Sequence, residues 1–349
     1  MTAQKYRAVY ILYPRGVQTG GPEALHQLGA ALRELGTPAF MVPFANTVSR
    51  GRVPEYEHYG VPEVEKVIDL PDNAVVAPEI RYFEQARYRK VERFCWWLSI
   101  DNSILFRSMR RLISPSPGGC KANIRLAAHR VIVPFEAAIR PLAFRLRVQH
   151  LTQSAYAWSF LYCRTGVLPS MLSDYTDLPE GSVHHMPFRD PRQISFNPAK
   201  GGRLVQQVID SNAVDAHWIR IENMTRVDVV HTLQSSAIYL DLGHHPGKDR
   251  LPREAGASGA VTIVARTGAG AFSLDFPLPY DHKIIVDNSI AASTSVALNA
   301  ILADLTHQWD RQATFRRRIE LEKRIFMKEV RRIFVEGQLG SDVELEREF

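Results

Sequence analysis

The stretch 237-AIYLDLGHHPGKDRLPREAGASGAVTIVAR-266 reads as strand, loop, helix and strand in immediate succession. An apolar, aromatic and β-branched run over 237–243 ends in Gly243, a loop rich in His and charged residues follows, residues 252–259 suit a short helix, and 260–266 is apolar again. Two strands joined through a helix lie parallel, and a parallel sheet is covered by helices on both faces. The same alternation extends upstream through strand 192-RQISFN-197, helix 202-GRLVQQVIDS-211, strand 217-HWIRIE-222 and helix 226-RVDVVHTLQSS-236, the last with Thr225 and Asp228 spaced as a capping box. Downstream, 290–309 and 311–334 read as long helices.

The N-terminal half repeats the pattern. The run 7-RAVYILY-13 is a strand, 14-PRGVQTGG-21 a glycine-bearing loop, and Ala24, Leu25, Leu28, Ala31, Leu32 and Leu35 recur at helical spacing, with Pro22 suited to the first turn and Gly36 to the stop. Further strands are expected at 38–44, 73–79, 91–100 and 147–154. Periodicity lapses and proline density rises over 187-PFRDPRQISFNP-198, which places a hinge there. The expected organisation is therefore α/β throughout: a doubly wound, Rossmann-like lobe over 1–188, a second over 189–310 and a helical tail over 311–349.

Bulk composition is consistent with this. A chain of 349 residues exceeds what one core usually serves, so two lobes with a cleft are expected. No apolar run approaches the ~20 residues of a membrane span, and the N-terminus lacks a signal-peptide pattern, so a cytoplasmic location is expected. Cys95, Cys120 and Cys163 lie far apart without metal or disulfide spacing and read as buried apolar residues. The net charge of +6 suits an anionic partner. Its basic clusters, 107–112, 140–147 and 316–332, form no stripe interleaved with aromatics, which makes nucleic acid the least favoured.

In doubly wound sheets, ligands sit where strand ends meet helix N-termini, whose amides attract anions. Three loops fit. Gly20 and Gly21 precede the first long helix, without the G-x-G-x-x-G of a dinucleotide site. The second, 195-SFNPAKGG-202, sets Asn197 in a turn and Lys200 beside a helix start. The third offers His244, His245, Lys248 and Arg250 to a pyrophosphate, with Glu254 available to ribose hydroxyls. The competing reading is that Asp249, Glu254 and the cations pair with one another. A metal at the two histidines lacks a third ligand at a recognisable spacing.

On these residues the chain resembles retaining GT-B glycosyltransferases of the glycogen-synthase-like group, particularly those of bacterial capsule and surface-polysaccharide assembly. The resemblance rests on 20-GGPEALHQLGAALRELG-36, on Lys200-Gly201 and above all on 251-LPREAGASG-259. It departs from the family pattern where a first glutamate, eight positions before Glu254, is replaced by Pro246. What it implies is a GT-B fold, transfer of a sugar from a nucleotide-sugar donor with retention, and a glycan or lipid-linked acceptor held against the N-terminal lobe near the end of its fourth strand. That strand ends in 96-WWLSIDN-102, so Asp101 and Asn102 are the acceptor-side candidates, with Ser154 and Tyr156 nearby and at least one of Trp96 and Trp97 in the core. The competing reading of Asp101 and Asn102 is a cap of the following helix.

Charge build-up on the leaving phosphate would be met by Lys200, Lys248, Arg250 and helix amides, and the chain contains no Asp-x-Asp motif, so no cofactor and no divalent metal are expected. Asp101, Asn102, Lys200 and Glu254 are the catalytic candidates; Gly20, Gly21, Asn197, Lys200, His244, His245, Lys248, Arg250 and Glu254 those for donor binding. A nucleotide-sugar epimerase and a non-catalytic glycan-assembly scaffold remain alternatives. The last helix, with Phe315, Ile319, Ile325, Phe326, Val330 and Phe334 among many cations, suits either peripheral contact with an anionic membrane or packing back onto the lobes.

Overall fold

A computed structural model describes residues 4–103, 105–106, 147–177 and 190–340. The basic cluster 107–112, all of 140–147 but Arg147, Cys120, the 188/189 boundary and the chain beyond 340 lie outside these residues. The chain divides into two compact units, one of Met1–Gln153, Ala157–Asp174 and Phe326–Val343, the other of Ser154–Tyr156, Tyr175–Ile325 and Glu344–Phe349.

The first unit is built on a six-stranded parallel sheet ordered β2-β1-β3-β4-β5-β6, from β1 (Ala8–Tyr13), β2 (Ala39–Pro43), β3 (Asn73–Pro78), β4 (Glu92–Trp97), β5 (Gln149–Thr152) and β6 (Ser170–Met171). Every residue of β1 and β3 is buried, the pattern of strands covered on both faces. For the same reason Trp96 and Trp97 are both core, although successive residues of a strand point to opposite faces. Each indole is satisfied: Trp96 Nε1 donates to the Leu172 carbonyl at 2.8 Å and Trp97 Nε1 to His150 Nδ1 at 3.0 Å. Accepting that bond requires an unprotonated Nδ1, and burial pushes the His150 pKa down to about 4. Helix α1 (Gly20–Glu34) lays Leu25, Leu28 and Leu32 into the core and is followed by Gly36 at φ +84°.

The second unit has a five-stranded parallel sheet ordered β11-β10-β9-β7-β8, from β7 (Asp190–Phe196), β8 (His217–Arg220), β9 (Ser236–Asp241), β10 (Val261–Ala265) and β11 (Lys283–Ile284). The crossover helices here are α3 (Gly202–Asp210), α4 (Arg226–Ser235) and α5 (Arg250–Ala257), α2 being Ala155–Thr165. The capping box at Thr225 and Asp228 is formed, so α4 begins where its sequence places it. One core cluster joins Ile194, Val205, Ile238, Leu240, Ile263 and Leu298, tying three strands to α3 and α6 (Ile290–Ala303).

The helix read as continuous over 290–309 is broken. Asp304 leaves helical geometry (φ −144°, ψ 65°) and its carboxylate accepts from the His307 amide, starting α7 (Leu305–Asp310) afresh. The last helix, α8 (Ala313–Val330), runs into a single wide turn over Arg331–Val335. Its apolar stripe is inside the protein: Phe315, Ile319, Phe326, Val330 and Phe334 are at most 2% exposed. Those side chains are thus packed and not available to enter a bilayer, and no helix among the described residues is long and apolar enough to cross one. Cys95 is buried as expected, whereas Cys163 is exposed on α2.

Candidate functional site

Both sheets reverse strand order once, between β1 and β3 in the first unit and between β7 and β9 in the second. Strand ends at such a reversal leave a crevice that adjacent crossover helices, departing to opposite faces, do not fill.

At the reversal in the second unit the loops after β7 and β9 touch backbone to backbone. Gly201 has φ +68°, and a Cβ there would stand 2.5 Å from the Gly243 nitrogen; a Cβ on Gly243 would stand 3.1 Å from the Lys200 carbonyl carbon. Only glycine lets the two loops approach this closely. Asn197 makes the first loop's turn, its Oδ1 accepting from the Ala199 amide at 2.9 Å and its carbonyl from Lys200 N at 3.0 Å. Lys200 is thereby carried to the second loop, where its ammonium pairs with Asp249 Oδ2.

Asp249 is the residue before α5, yet its side chain makes no cap bond to that helix. It is engaged by Lys200 and, through the same Oδ2, by His245 Nδ1 at 2.7 Å. His245 is fully buried; its Nε2 has no hydrogen-bond partner among the described residues and lies 3.9 Å from Asp241 Oδ1. Burial disfavours the imidazolium, but the carboxylates of Asp241 and Asp249 outweigh it and hold the His245 pKa above the usual histidine value. Burial likewise opposes the Asp249 carboxylate, and His245 and Lys200 overcome it and keep that pKa low. The loop after β10 closes over the ring. The Ala269 amide donates to the His245 carbonyl at 2.8 Å, and Cβ atoms at Gly268 and Gly270 would stand 1.9 Å from that carbonyl oxygen and 2.8 Å from the ring.

The remaining candidates separate into two groups. Arg250 Nε lies 2.8 Å from Glu254 Oε1, and Arg226 Nη1, from the start of α4, donates to Glu254 Oε2 at 2.6 Å, so Glu254 sits between two guanidinium groups one turn into α5. Lys248 points the other way: it is 6% exposed and its ammonium is 3.1 Å from Glu322 on α8. Glu322 also accepts from Arg253 Nη1 at 2.7 Å and from the Thr176 amide at 3.1 Å, while Arg253 Nη2 returns to the Lys248 carbonyl at 2.9 Å. Lys248 therefore anchors the loop from behind. His244 is half-buried, its ring edge-on to Tyr156 at 6.5 Å.

Sequence reasoning missed Asp249 as an organiser, Arg226, Arg253, Glu322 and Asp275. Asp275 is 3% exposed and accepts from the amides of Ala155 and Tyr156 at 2.7 and 3.0 Å. A signal for Glu322 existed: it falls on the stripe of Phe315, Ile319 and Phe326, where a carboxylate must be buried and therefore paired.

The first unit's candidates are arranged differently. A Cβ on Gly20 would meet nothing within 4 Å and one on Gly21 only Leu98 Cδ1 at 3.8 Å, so neither glycine is sterically required. Asp101 and Asn102 form a 3-10 turn after β4, with Asp101 fully buried and Asn102 exposed. Ser154, fully buried, and Tyr156, 8% exposed, belong instead to the second unit. At the end of β3, unnoticed in the sequence, Glu79 is 3% exposed and accepts from the Leu98 amide at 3.0 Å; burial raises its pKa to about 7.

Among the described residues no group of three or more His, Cys, Asp or Glu side chains is disposed to hold a metal ion. A concavity of about 340 Å³ between β11 and α6, lined by Arg266, Ile285 and Val296 among others, contains none of the nominated residues.

No family model matches the sequence, and no curated protein matches it. Solved structures do. The chain is similar to sucrose-phosphate synthase from Thermosynechococcus elongatus, with a TM-score of 0.62 at 10% identity over 94% of this chain and 98% of that one. It is similar to Anabaena HepE, whose structure holds UDP-glucose, with a TM-score of 0.60 at 11% identity over 93% and 98%. The calicheamicin glycosyltransferase CalG4 follows at 0.50 and 10% identity over 93% and 97%. Two parallel, doubly wound sheets matched over nearly the full length of such neighbours give this chain the GT-B fold.

Proposed function

We propose that the chain is a glycosyltransferase that draws a sugar from a nucleotide-sugar, and that the second unit holds the donor's diphosphate at the β7/β9 reversal. The observation that carries this reading is the convergence of Lys200, Arg250 and the N-terminus of α5, uncapped by Asp249, on one pair of glycine-tightened loops. The GT-B fold supports it, as does the UDP-glucose bound by HepE.

In this reading the leaving diphosphate gathers negative charge as the bond to the anomeric carbon breaks. Lys200, Arg250 and the first free amides of α5 offset that charge from fixed positions, so little reorganisation is needed during the reaction. Lys248 contributes indirectly, by fixing the loop through Glu322. Arg226 and Arg250 neutralise Glu254, which reaches ribose hydroxyls only by sharing its oxygens with them. Metal-independent transfer, retention of configuration and a glycan or lipid-linked acceptor of surface-polysaccharide assembly, held by the first unit beside Asn102, complete the proposal.

A thermal-shift panel of nucleoside diphosphates and nucleotide-sugars, followed by acceptor-dependent release of the nucleoside diphosphate in the presence of chelator, tests it. A nucleotide-sugar that raises the melting temperature and is consumed only with an acceptor is the expected result. Epimerisation without an acceptor, or no stabilisation by any nucleotide, would overturn it.

A further inference from the structure

Lys200 is not idle in this structure. Its ammonium is held by Asp249, and the oxygen that holds it also accepts from buried His245. We propose that the donor's diphosphate and the Asp249 carboxylate compete for Lys200, and that His245 decides the competition by its charge. Asp249 is thus a built-in competitor for the donor-site cation, and His245 a positioning residue acting through it. This inference rests on the donor-site reading above.

The shared oxygen couples the two partners. With an imidazolium at His245, Asp249 keeps a charge-assisted partner after Lys200 leaves, so transfer of the ammonium to a phosphate strands no charge. With a neutral imidazole, Lys200 is the only full cation paired with the Asp249 carboxylate among the described residues, and its departure leaves a partly buried carboxylate with a weaker bond. The groups facing His245 are Asp241 from β9, Asp249 at the start of α5 and Lys200 from the loop after β7. The loop after β10 contributes backbone and glycines at Gly268 and Gly270. Two carboxylates around one ring favour the imidazolium, and Lys200 opposes it. Removing Lys200 to a phosphate strengthens the ring's hold on its proton. By linkage, binding takes up a proton and weakens as pH rises through the His245 pKa.

The sign is diagnostic. A terminal phosphate with a pKa of about 6 gains charge as pH rises and would by itself bind a cationic site more tightly. The experiment titrates UDP into the full chain by calorimetry between pH 7 and 9, in two buffers of different ionisation enthalpy, and repeats it for Asp249→Asn, Lys200→Ala and His245→Gln. The wild type is expected to weaken by about tenfold across this range with net proton uptake. Asp249→Asn should bind about tenfold more tightly at pH 9, and both it and His245→Gln should lose the pH dependence. His245→Gln alters a fully buried site and could unfold it; proton uptake by the wild type and the affinity of the partly exposed Asp249 variant decide the outcome without it. UDP binding that Lys200→Ala weakens, but that shows no proton uptake and no gain in Asp249→Asn, would overturn this inference and leave the donor site standing. No UDP binding to the wild type at any pH would overturn both.

Discussion

The two strand-order reversals are built on the same topology and differ in what they require of the chain. At β7/β9 the backbones of two loops touch, Gly201 and Gly243 have no room for a side chain, and four charged or titratable groups, Lys200, Asp241, His245 and Asp249, share one chain of contacts. At β1/β3, Gly20 and Gly21 have room for a Cβ, and one buried carboxylate, Glu79, is taken up in fastening the end of β3 to the end of β4. A strand reversal supplies a crevice in either case; only in the second unit do backbone sterics and charge both specify it. A glycine next to a helix start therefore signals a site when its neighbours exclude a side chain, and much less when they do not.

The largest difference between the two regions is expected at Glu322. Glu322→Ala leaves Lys248 and Arg253 buried without their carboxylate, and a loss of about 3–5 kcal/mol confined to the second unit should follow. Hydrogen exchange resolved by peptide would show it as lost protection in α5 and β10; equal loss in β1 and β3 would contradict the assignment. Gly201→Ala should cost about 2–4 kcal/mol in chemical denaturation, since the residue combines positive φ with a backbone collision.

In the first unit the difference shows in the response to pH. The pKa of Glu79 rises from 4.5 to about 7 on folding, so its proton is held more tightly by the native state and stability falls as pH rises from 4.5 through 7. The pKa of His150 drops from 6.5 to about 4, so stability falls as pH drops below 6.5. Each amounts to roughly 3 kcal/mol, and between pH 4.5 and 6.5 they offset each other. Glu79→Gln should therefore unmask a loss of first-unit stability on acidification from pH 6.5 to 4.5, read by hydrogen exchange; an unchanged slope would contradict the pairing. The smallest effect is expected at Gly20→Ala, within about 1 kcal/mol and in the stabilising direction, because the first residue of α1 has space and gains helix propensity.

Much of the fold was legible because its elements are written in local pattern: the predominantly apolar and wholly buried β1, β9 and β10, the periodicity of α1 and the capping box at Thr225 each fixed an element within a few residues. The two-residue β6 and β11 are too short to carry a period and escaped. The break at Asp304 was hidden because one capping carboxylate within an apolar helix reads as a solvent-facing acid. The site was legible as a place and less so as a set of roles. Sequence put Lys200, His245, Lys248, Arg250 and Glu254 together and held pairing of the cations with Asp249 and Glu254 as a competing reading. The Lys200–Asp249 and Arg250–Glu254 pairs match that reading, but sequence did not supply Glu322 and Arg226 as partners. Glu322 and Arg226 lie on other elements: Arg226 leaves no trace in local spacing, and Glu322 is marked by its place on the apolar stripe of α8, which shows that it must be paired and not with what.

The claim that the second unit holds the donor is tested most directly by equilibrium binding of nucleoside diphosphates to the wild type, Lys200→Ala and Asn102→Trp. Binding by the wild type, weakened at least about tenfold by Lys200→Ala and unchanged by Asn102→Trp, is the expected result. Binding that ignores Lys200 and is abolished at Asn102 would place the nucleotide on the first unit and contradict it.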